Sequence, residues 1–217
     1  MTWSVIGRIF SSWQVYAFTL GYCFWSLTCG NYVMQYFALY LRWTEQYTVP
    51  EINNIPTAIG AVNFVIMTSS GFIADKMGKR GPVCFVVGCL LTFCFAVLSA
   101  WSVPHSLRMA AFILTGCYGC YTPLLAGWTN ETCGGDEQKR AFILAWMVSV
   151  GYAVTIPFQQ YQMPSGDAPE FSQTNGWPSA LAWVIALTLW TGLAIPWMHR
   201  RGDKKASARA EEEVYGP

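Results

Sequence analysis

The chain has 217 residues, of which 53% are hydrophobic and only 12% are charged, and its formal net charge is +1. An ordinary soluble domain carries about 25% charged residues. A soluble helical core of this size would also need charged outer faces on its helices. The composition therefore excludes an ordinary soluble domain and indicates a membrane protein.

Six stretches of the chain are long and apolar enough to cross a bilayer, whose core of about 30 Å needs roughly 20 apolar residues per helix. Helices satisfy their own backbone hydrogen bonds in the absence of water. The sequence therefore predicts an all-α membrane protein with six transmembrane helices. We place these spans at residues 13–41, 55–74, 82–101, 109–128, 141–161 and 177–198.

Basic residues lie mainly in every second gap between the predicted spans. Eleven of the 13 Lys and Arg lie before the first span, in the second and fourth gaps, or after the last span; the other gaps hold only Arg42 and Arg108. The positive-inside rule then places both termini in the cytoplasm. We expect a cytoplasmic segment at 1–12, a helical bundle at 13–198 and a disordered cytoplasmic tail at 199–217.

The first and fifth gaps carry local structural signals. In the first gap, Thr48 or Val49 could start a short helix with Pro50 in its first turn. The fifth gap, residues 162–176, is rich in Pro, Gly, Ser and Asp, which predicts a loop without regular structure, shaped by the segment 167–169.

Neutral amides are the main polar groups inside the spans, because no Asp, Glu, Lys, Arg or His lies in the middle of any of them. Helical spacing places Asn31 and Gln35 on one face of the first predicted helix. Asn63 lies near the middle of the second span, and Gln159 follows Pro157, which predicts a kink in the fifth. We select Asn31, Gln35, Asn63 and Gln159 as candidate substrate-binding residues. Hydrogen bonds between helices are the alternative interpretation of each.

The eight cysteines and two histidines give no sign of a metal or redox site. Cys117 and Cys120 form a C-x-x-C pair, but their predicted span holds no His and no acidic residue, so small helix contacts are favoured. His105 and His199 lie outside the spans. We expect no cofactor, no metal ion and no catalytic residues, and therefore no enzyme.

The segment 71–80 carries the most specific local pattern, with Gly71 followed by Asp75, Gly78 and Arg80 among basic residues. Gly78 permits a tight turn, the basic residues suit an anionic inner surface, and Asp75 can face the N-terminus of a neighbouring helix. A generic basic loop would explain the charges but not the spacing of Asp and Gly. The segment resembles the cytoplasmic loop signature of the major facilitator superfamily.

The fourth gap contains Glu131, Asp136 and Arg140. Asp136 and Arg140 are four residues apart and could pair on a helix that enters the fifth span. Gating or loop anchoring is favoured over substrate contact for all three residues.

Five further motifs narrow the resemblance to the C-terminal half of the fungal anion:cation symporters, the allantoate, nicotinate and pantothenate permeases. The motifs lie at 13–16, 36–41, 52–57, 130–141 and 167–169, and the similarity runs from about residue 11 to residue 197. It implies one half of a twelve-helix fold, with substrate between two six-helix halves and alternating access. It also implies proton-coupled uptake of a small organic anion or vitamin-like solute at the plasma membrane.

Six helices are half of that fold, so two hypotheses stay open. The chain is a truncated C-terminal half of a transporter, completed by an N-terminal half or a second copy. Alternatively, it is a non-transporting six-helix remnant that acts, if at all, by associating with a full-length transporter. Metabolite export is a variant of the first hypothesis. The expected partners are a lipid bilayer, a small organic solute and a proton as coupling ion, with no nucleic acid.

Overall fold

The computed structural model of the chain describes residues 3–28, 32–171 and 173–201. Helices dominate these residues, and no strand occurs among them. The α-helices are α1 (Trp3–Phe10), α2 (Trp13–Leu27), α3 (Val33–Trp43), α4 (Val49–Asn54), α5 (Thr57–Met77), α6 (Gly81–Ala100), α7 (His105–Leu114), α8 (Tyr121–Thr132), α9 (Glu137–Gln162) and α10 (Gly176–Leu189). A 3₁₀ segment, Thr115–Cys120, joins α7 to α8, and a π-helical turn, Trp190–Ala194, follows α10.

Five helical stretches within the described residues are long and apolar enough to span a membrane. They are Val49–Met77, Gly81–Ala100, His105–Thr132, Glu137–Gln162 and Gly176–Arg201. The prediction of an all-α integral membrane protein is therefore confirmed. The count of six stays a prediction, because the stretch that contains the first predicted span is divided.

The first predicted span, 13–41, is not one continuous helix. Helix α2 ends at Leu27, and Thr28 caps it with a hydroxyl that donates to the Trp25 carbonyl oxygen at 2.6 Å. Such side-chain bonds to the backbone compete with helix continuation. Helix α3 begins only at Val33. Residues 29–31 lie outside the described residues, so the shared helical face of Asn31 and Gln35 stays a prediction.

Two turns follow the sequence signals. Thr48 caps α4, and both its backbone N–H and its hydroxyl donate to Glu51 Oε2 at 2.8 Å. The bond from the Thr48 backbone N–H satisfies a donor that has no partner within the helix. Gly78 ends α5 in the left-handed region with φ of +60°, a conformation that glycine adopts without steric cost.

The loop after α9 is ordered by side-chain bonds more than by regular structure. Residues Ser165–Asp167 form one 3₁₀ turn. The Asp167 carboxylate accepts the backbone N–H of Gln173 at 2.9 Å. The buried Trp177 donates its indole N–H to the Pro169 carbonyl at 3.0 Å, which fastens the loop to the start of α10. The segment 167–169 thus shapes the loop.

Candidate functional site

A cavity of about 520 Å³ lies between α3 and α9, next to the loop that follows α9. Its walls combine amides, phenol rings and aliphatic side chains. The lining residues are Tyr32, Gln35, Tyr36, Leu39, Ile156, Gln159, Gln160, Met163, Pro164, Ser165 and Gly166. We call this the α3–α9 cavity. Two of the predicted substrate-binding residues, Gln35 and Gln159, therefore meet in one concave site.

Gln159 is held in place from across the cavity. Its side chain is buried, and Nε2 donates a hydrogen bond to the Tyr36 hydroxyl at 2.8 Å. The Tyr36 ring packs edge-on against Phe171 and Trp177, with ring centroids 5.0 and 6.1 Å away. This aromatic support fixes the direction of the hydroxyl. The Gln159 amide is therefore oriented before any ligand arrives.

The remaining polar groups of the α3–α9 cavity are less constrained. Gln35 and Gln160 are exposed, and Tyr32 is half-buried. Amides donate and accept hydrogen bonds, and phenols do the same. None of the lining residues within the described chain carries a charge. The cavity is therefore suited to a polar solute that is recognised by hydrogen bonds rather than by a counter-ion.

The other two predicted substrate-binding residues are not among the described residues that line this cavity. Asn31 lies outside the described residues. Asn63 packs where α5 meets the 3₁₀ segment, so close that a Cβ placed on Gly119 would lie 2.1 Å from Asn63 Oδ1. That oxygen is buried and has no hydrogen-bond partner among the described residues. Asn63 thus lies at a contact between helices, and its predicted role in substrate binding stays a prediction.

A charge cluster lies where the α5–α6 turn meets α8. Arg80 Nη2 contacts Glu131 Oε1 at 2.8 Å and Asp75 Oδ1 at 3.0 Å, and Arg80 Nε also donates to Glu131 at 3.0 Å. The bonds to Glu131 raise the pKa of the Arg80 guanidinium, an effect that its partial burial opposes. The structure thus brings together three residues that the sequence singled out in two separate loops.

Asp136 does not form the predicted ion pair with Arg140. Its carboxylate caps α9 by accepting the Lys139 backbone N–H at 3.0 Å, and it contacts Arg8 Nη2 at 3.0 Å. The cap satisfies an orphan donor of the first turn, so the carboxylate turns toward the helix start rather than toward Arg140. The predicted pair was wrong, whereas the loop-anchoring role fits both contacts. Gly71 has open space around its Cα, so close packing does not require a glycine there.

Four polar residues of the cavity were not selected from the sequence: Tyr32, Tyr36, Gln160 and Ser165. A signal for the tyrosines existed, since positions 32, 35, 36 and 39 share one helical face and all four line the cavity. Gln160 stands beside Gln159 and could have been selected with it.

No family model matches the chain, and no solved structure matches it. Three curated relatives match most of it. The MFS transporter PfmaC of Pestalotiopsis fici is 68% identical over 209 residues, which are 96% of this chain and 39% of the relative. The pantothenate transporter liz1 of Schizosaccharomyces pombe is 26% identical over 79% of this chain and 34% of the relative. The vitamin H transporter of Saccharomyces cerevisiae is 22% identical over 84% of this chain and 32% of the relative.

The chain therefore spans about a third to two-fifths of the length of these curated relatives. Their names agree with the loop signature at 71–80 and with the all-α membrane fold. They also agree with the prediction that the chain is not an enzyme. The resemblance is confirmed: the chain is homologous to transporters of the major facilitator superfamily, some of them fungal pantothenate transporters.

Proposed function

We propose that the chain is the C-terminal half of a secondary active transporter that moves a small, polar, vitamin-like organic solute by alternating access. The α3–α9 cavity carries this proposal. Its volume of about 520 Å³ falls within the range of about 300–1,000 Å³ that is usual for small-molecule sites. Relatives named for pantothenate and vitamin H support the solute class.

The composition of the cavity suggests how such a solute binds. Gln35 and Gln160 offer amide donors and acceptors, and the Tyr32 hydroxyl adds a third group. A carboxylate of the solute would accept hydrogen bonds from these N–H and O–H groups. Such hydrogen bonds are stronger when the acceptor is ionised. Leu39 and Ile156 give an aliphatic portion an apolar surface. Affinity would thus come from several neutral contacts.

The Arg80–Glu131–Asp75 cluster is our candidate for a cytoplasmic gate. The two carboxylates are mainly exposed, with side-chain exposures of 57% for Glu131 and 68% for Asp75. Exposed ion pairs contribute only about 0–1 kcal/mol each. Contacts of that strength can form and break at little cost while the transporter changes state. A buried pair would hold one state too firmly.

Other observations support the proposed orientation, membrane and coupling ion. The distribution of basic residues supports cytoplasmic termini. Uptake, proton coupling and the plasma membrane follow from the family resemblance. Because no carboxylate lines the α3–α9 cavity within the described chain, we assign the coupling proton to a group outside this cavity.

Solute binding tests the proposal directly. The purified chain in lipid nanodiscs is incubated with radiolabelled pantothenate or vitamin H, and bound label is counted at increasing solute concentration. We expect saturable binding of at least one solute. Gln35→Leu and Gln159→Leu should each weaken it by about tenfold, because each removes a hydrogen-bonding amide.

Gln138→Leu is the matched control, since Gln138 is an exposed glutamine of α9 that does not line the cavity. It should leave the affinity unchanged. Absence of saturable binding of both solutes would contradict the transporter proposal and favour the non-transporting remnant. Equal effects of all three substitutions would remove the α3–α9 cavity from the binding site.

A further inference from the structure

A second cavity, of about 310 Å³, lies between the α5–α6 turn, α8 and the last helix. Its wall includes Lys79 and Arg80 from the turn, Trp128 and Glu131 from α8, and Pro196 and Arg200 from the last helix. We call it the basic cavity. It shares no lining residue with the α3–α9 cavity. The proposed transport cycle therefore assigns no ligand to it.

The charges of the basic cavity are unbalanced. Arg80 contacts the carboxylates of Glu131 and Asp75 at 2.8 and 3.0 Å, so these three residues together carry a net charge of −1. Lys79 and Arg200 are exposed, and neither forms an ion pair with any residue in the described part of the chain. Two cations without an ion-pair partner in the described chain thus line one concave space.

The positive-inside rule explains why basic residues occur at this end of the bundle. It does not explain why two of them, from distant parts of the chain, converge on one cavity. In the conformation seen here the neighbouring wall is ordered: the Arg80 side chain is only 13% exposed and contacts two carboxylates, and Trp128 is buried. A ligand would therefore meet a preformed surface rather than a set of free surface chains.

We infer that the basic cavity binds a phosphate-bearing anion, carried either by a lipid headgroup or by a soluble phosphorylated compound. A phosphate monoester carries about −1.5 to −2 charges at neutral pH and can contact both Lys79 and Arg200. The guanidinium fork of Arg200 suits two phosphate oxygens, and Lys79 adds a compact charge. The volume of about 310 Å³ is at the lower end for small-ligand sites and accommodates a phosphorylated headgroup.

Two probes separate the sources of phosphate. The full chain is placed in phosphatidylcholine nanodiscs with or without phosphatidylinositol 4-phosphate, and retained lipid is counted by native mass spectrometry. Soluble inositol 1,4-bisphosphate is titrated separately by calorimetry. We expect at least one probe to bind to the unmodified chain. Lys79→Gln with Arg200→Gln should reduce that binding by about tenfold or more, because both charged contacts are lost.

The matched control is Lys76→Gln with Arg201→Gln, which removes the same total charge from residues that do not line the basic cavity. It should change binding by less than about twofold, as expected for charges outside the site. Binding of the lipid alone assigns the site to a headgroup, and binding of the soluble probe assigns it to free phosphate compounds. Equal losses in both double variants would overturn the inference in favour of general surface attraction, and so would absence of binding by both probes. Thermal unfolding of each variant verifies that the fold is intact.

Discussion

The backbone of Gly127 lies directly beneath the guanidinium group of Arg80. A Cβ placed on Gly127 would be 2.6 Å from Arg80 Nη1 and 2.7 Å from Cζ. Real Cβ atoms do not approach other heavy atoms so closely, so only glycine leaves room for Arg80 to lie across α8. The absent side chain at position 127 thus permits the bonds from Arg80 to Glu131.

Gly127→Ala should therefore displace Arg80 and weaken its contact with Glu131. The Arg80 side chain is flexible, so the loss of stability should be limited to about 1 kcal/mol, the value of an exposed ion pair. A double-mutant cycle measured by thermal unfolding in detergent gives the test. Glu131→Gln should cost less in the Gly127→Ala background than in the unmodified chain. Fully additive effects would show that the contact does not depend on Gly127. Gly134→Ala is the control, because a Cβ there meets only ordinary contacts of 3.6 Å.

Gly116 is a glycine of the 3₁₀ segment whose Cα lies close to the backbone of α5. A Cβ on Gly116 would lie 2.3 Å from the Ile59 carbonyl oxygen, and that oxygen belongs to the main chain of α5 and cannot rotate away. Gly116→Ala should separate α5 from the 3₁₀ segment and cost about 1–3 kcal/mol, as overpacking does. The measurement is the midpoint of thermal unfolding.

Gly71→Ala makes the matched comparison, since Gly71 is a glycine of α5, the helix that Gly116 contacts, and a Cβ on Gly71 meets nothing within 4 Å. Alanine should be neutral or stabilise the helix by up to about 1 kcal/mol. If both variants unfold at the same temperature, the tight approach at Gly116 is not a determinant of packing.

These glycines illustrate what the sequence could and could not predict. Hydropathy predicted the membrane helices, because the bilayer imposes length and composition on each span. Local spacing predicted the cap at Thr48 and the turn at Gly78, because both depend only on neighbouring residues. Gly116 and Gly127 contact residues that are distant in the chain. No local pattern identifies them, because their partners are set by helix packing.

In the candidate site too, some features could be predicted from the sequence, whereas others depend on helix packing. Gln35 and Gln159 could be selected because an amide inside an apolar span needs a partner or a ligand. That Tyr36 would orient Gln159 depends on the approach of α3 to α9, at a sequence separation of 123 residues. Asn63 is also an amide inside an apolar span, yet it packs against Gly119. Depth alone does not determine whether an amide faces a cavity or a helix.

Tyr36→Phe should leave the Gln159 side chain without its acceptor. Both residues are buried, and an unsatisfied buried donor costs about 1–3 kcal/mol. Tyr36→Phe with Gln159→Leu removes both partners and should cost less than the sum of the single changes. Chemical unfolding of the four proteins measures the coupling. A coupling energy of zero would mean that the hydrogen bond of 2.8 Å does not contribute to stability.

The Asp136 carboxylate makes two contacts, the α9 cap and the ion pair with Arg8. Substitutions distinguish the contributions of these contacts to stability. Asp136→Ala removes the α9 cap and the contact with Arg8, and should cost about 1 kcal/mol. Asp136→Ser keeps a capping oxygen but loses the charge. Because the Arg8 side chain is 63% exposed, its ion pair contributes little, and Arg8→Gln should cost less than about 0.5 kcal/mol. Thermal unfolding should rank Asp136→Ala as the least stable of the three. A larger loss for Arg8→Gln than for Asp136→Ala would mean that the ion pair matters more than the cap.

His105 is held through both ring nitrogens, and the two bonds differ in burial. The Tyr40 hydroxyl lies 2.7 Å from Nδ1, and the Tyr47 hydroxyl lies 2.9 Å from Nε2. Tyr40 is only 1% exposed, whereas Tyr47 is half-buried. Water can replace an accessible hydroxyl, so Tyr47→Phe should cost only a few tenths of a kcal/mol, whereas Tyr40→Phe should cost about 1 kcal/mol or more. The unfolding midpoints of the two variants, measured in the same detergent, give the comparison. Equal midpoints would show that burial does not determine how much these two hydrogen bonds contribute to stability. A larger effect for Tyr40 would mean that its bond fastens α3 to α7 at the end of the bundle where Tyr40 and His105 lie.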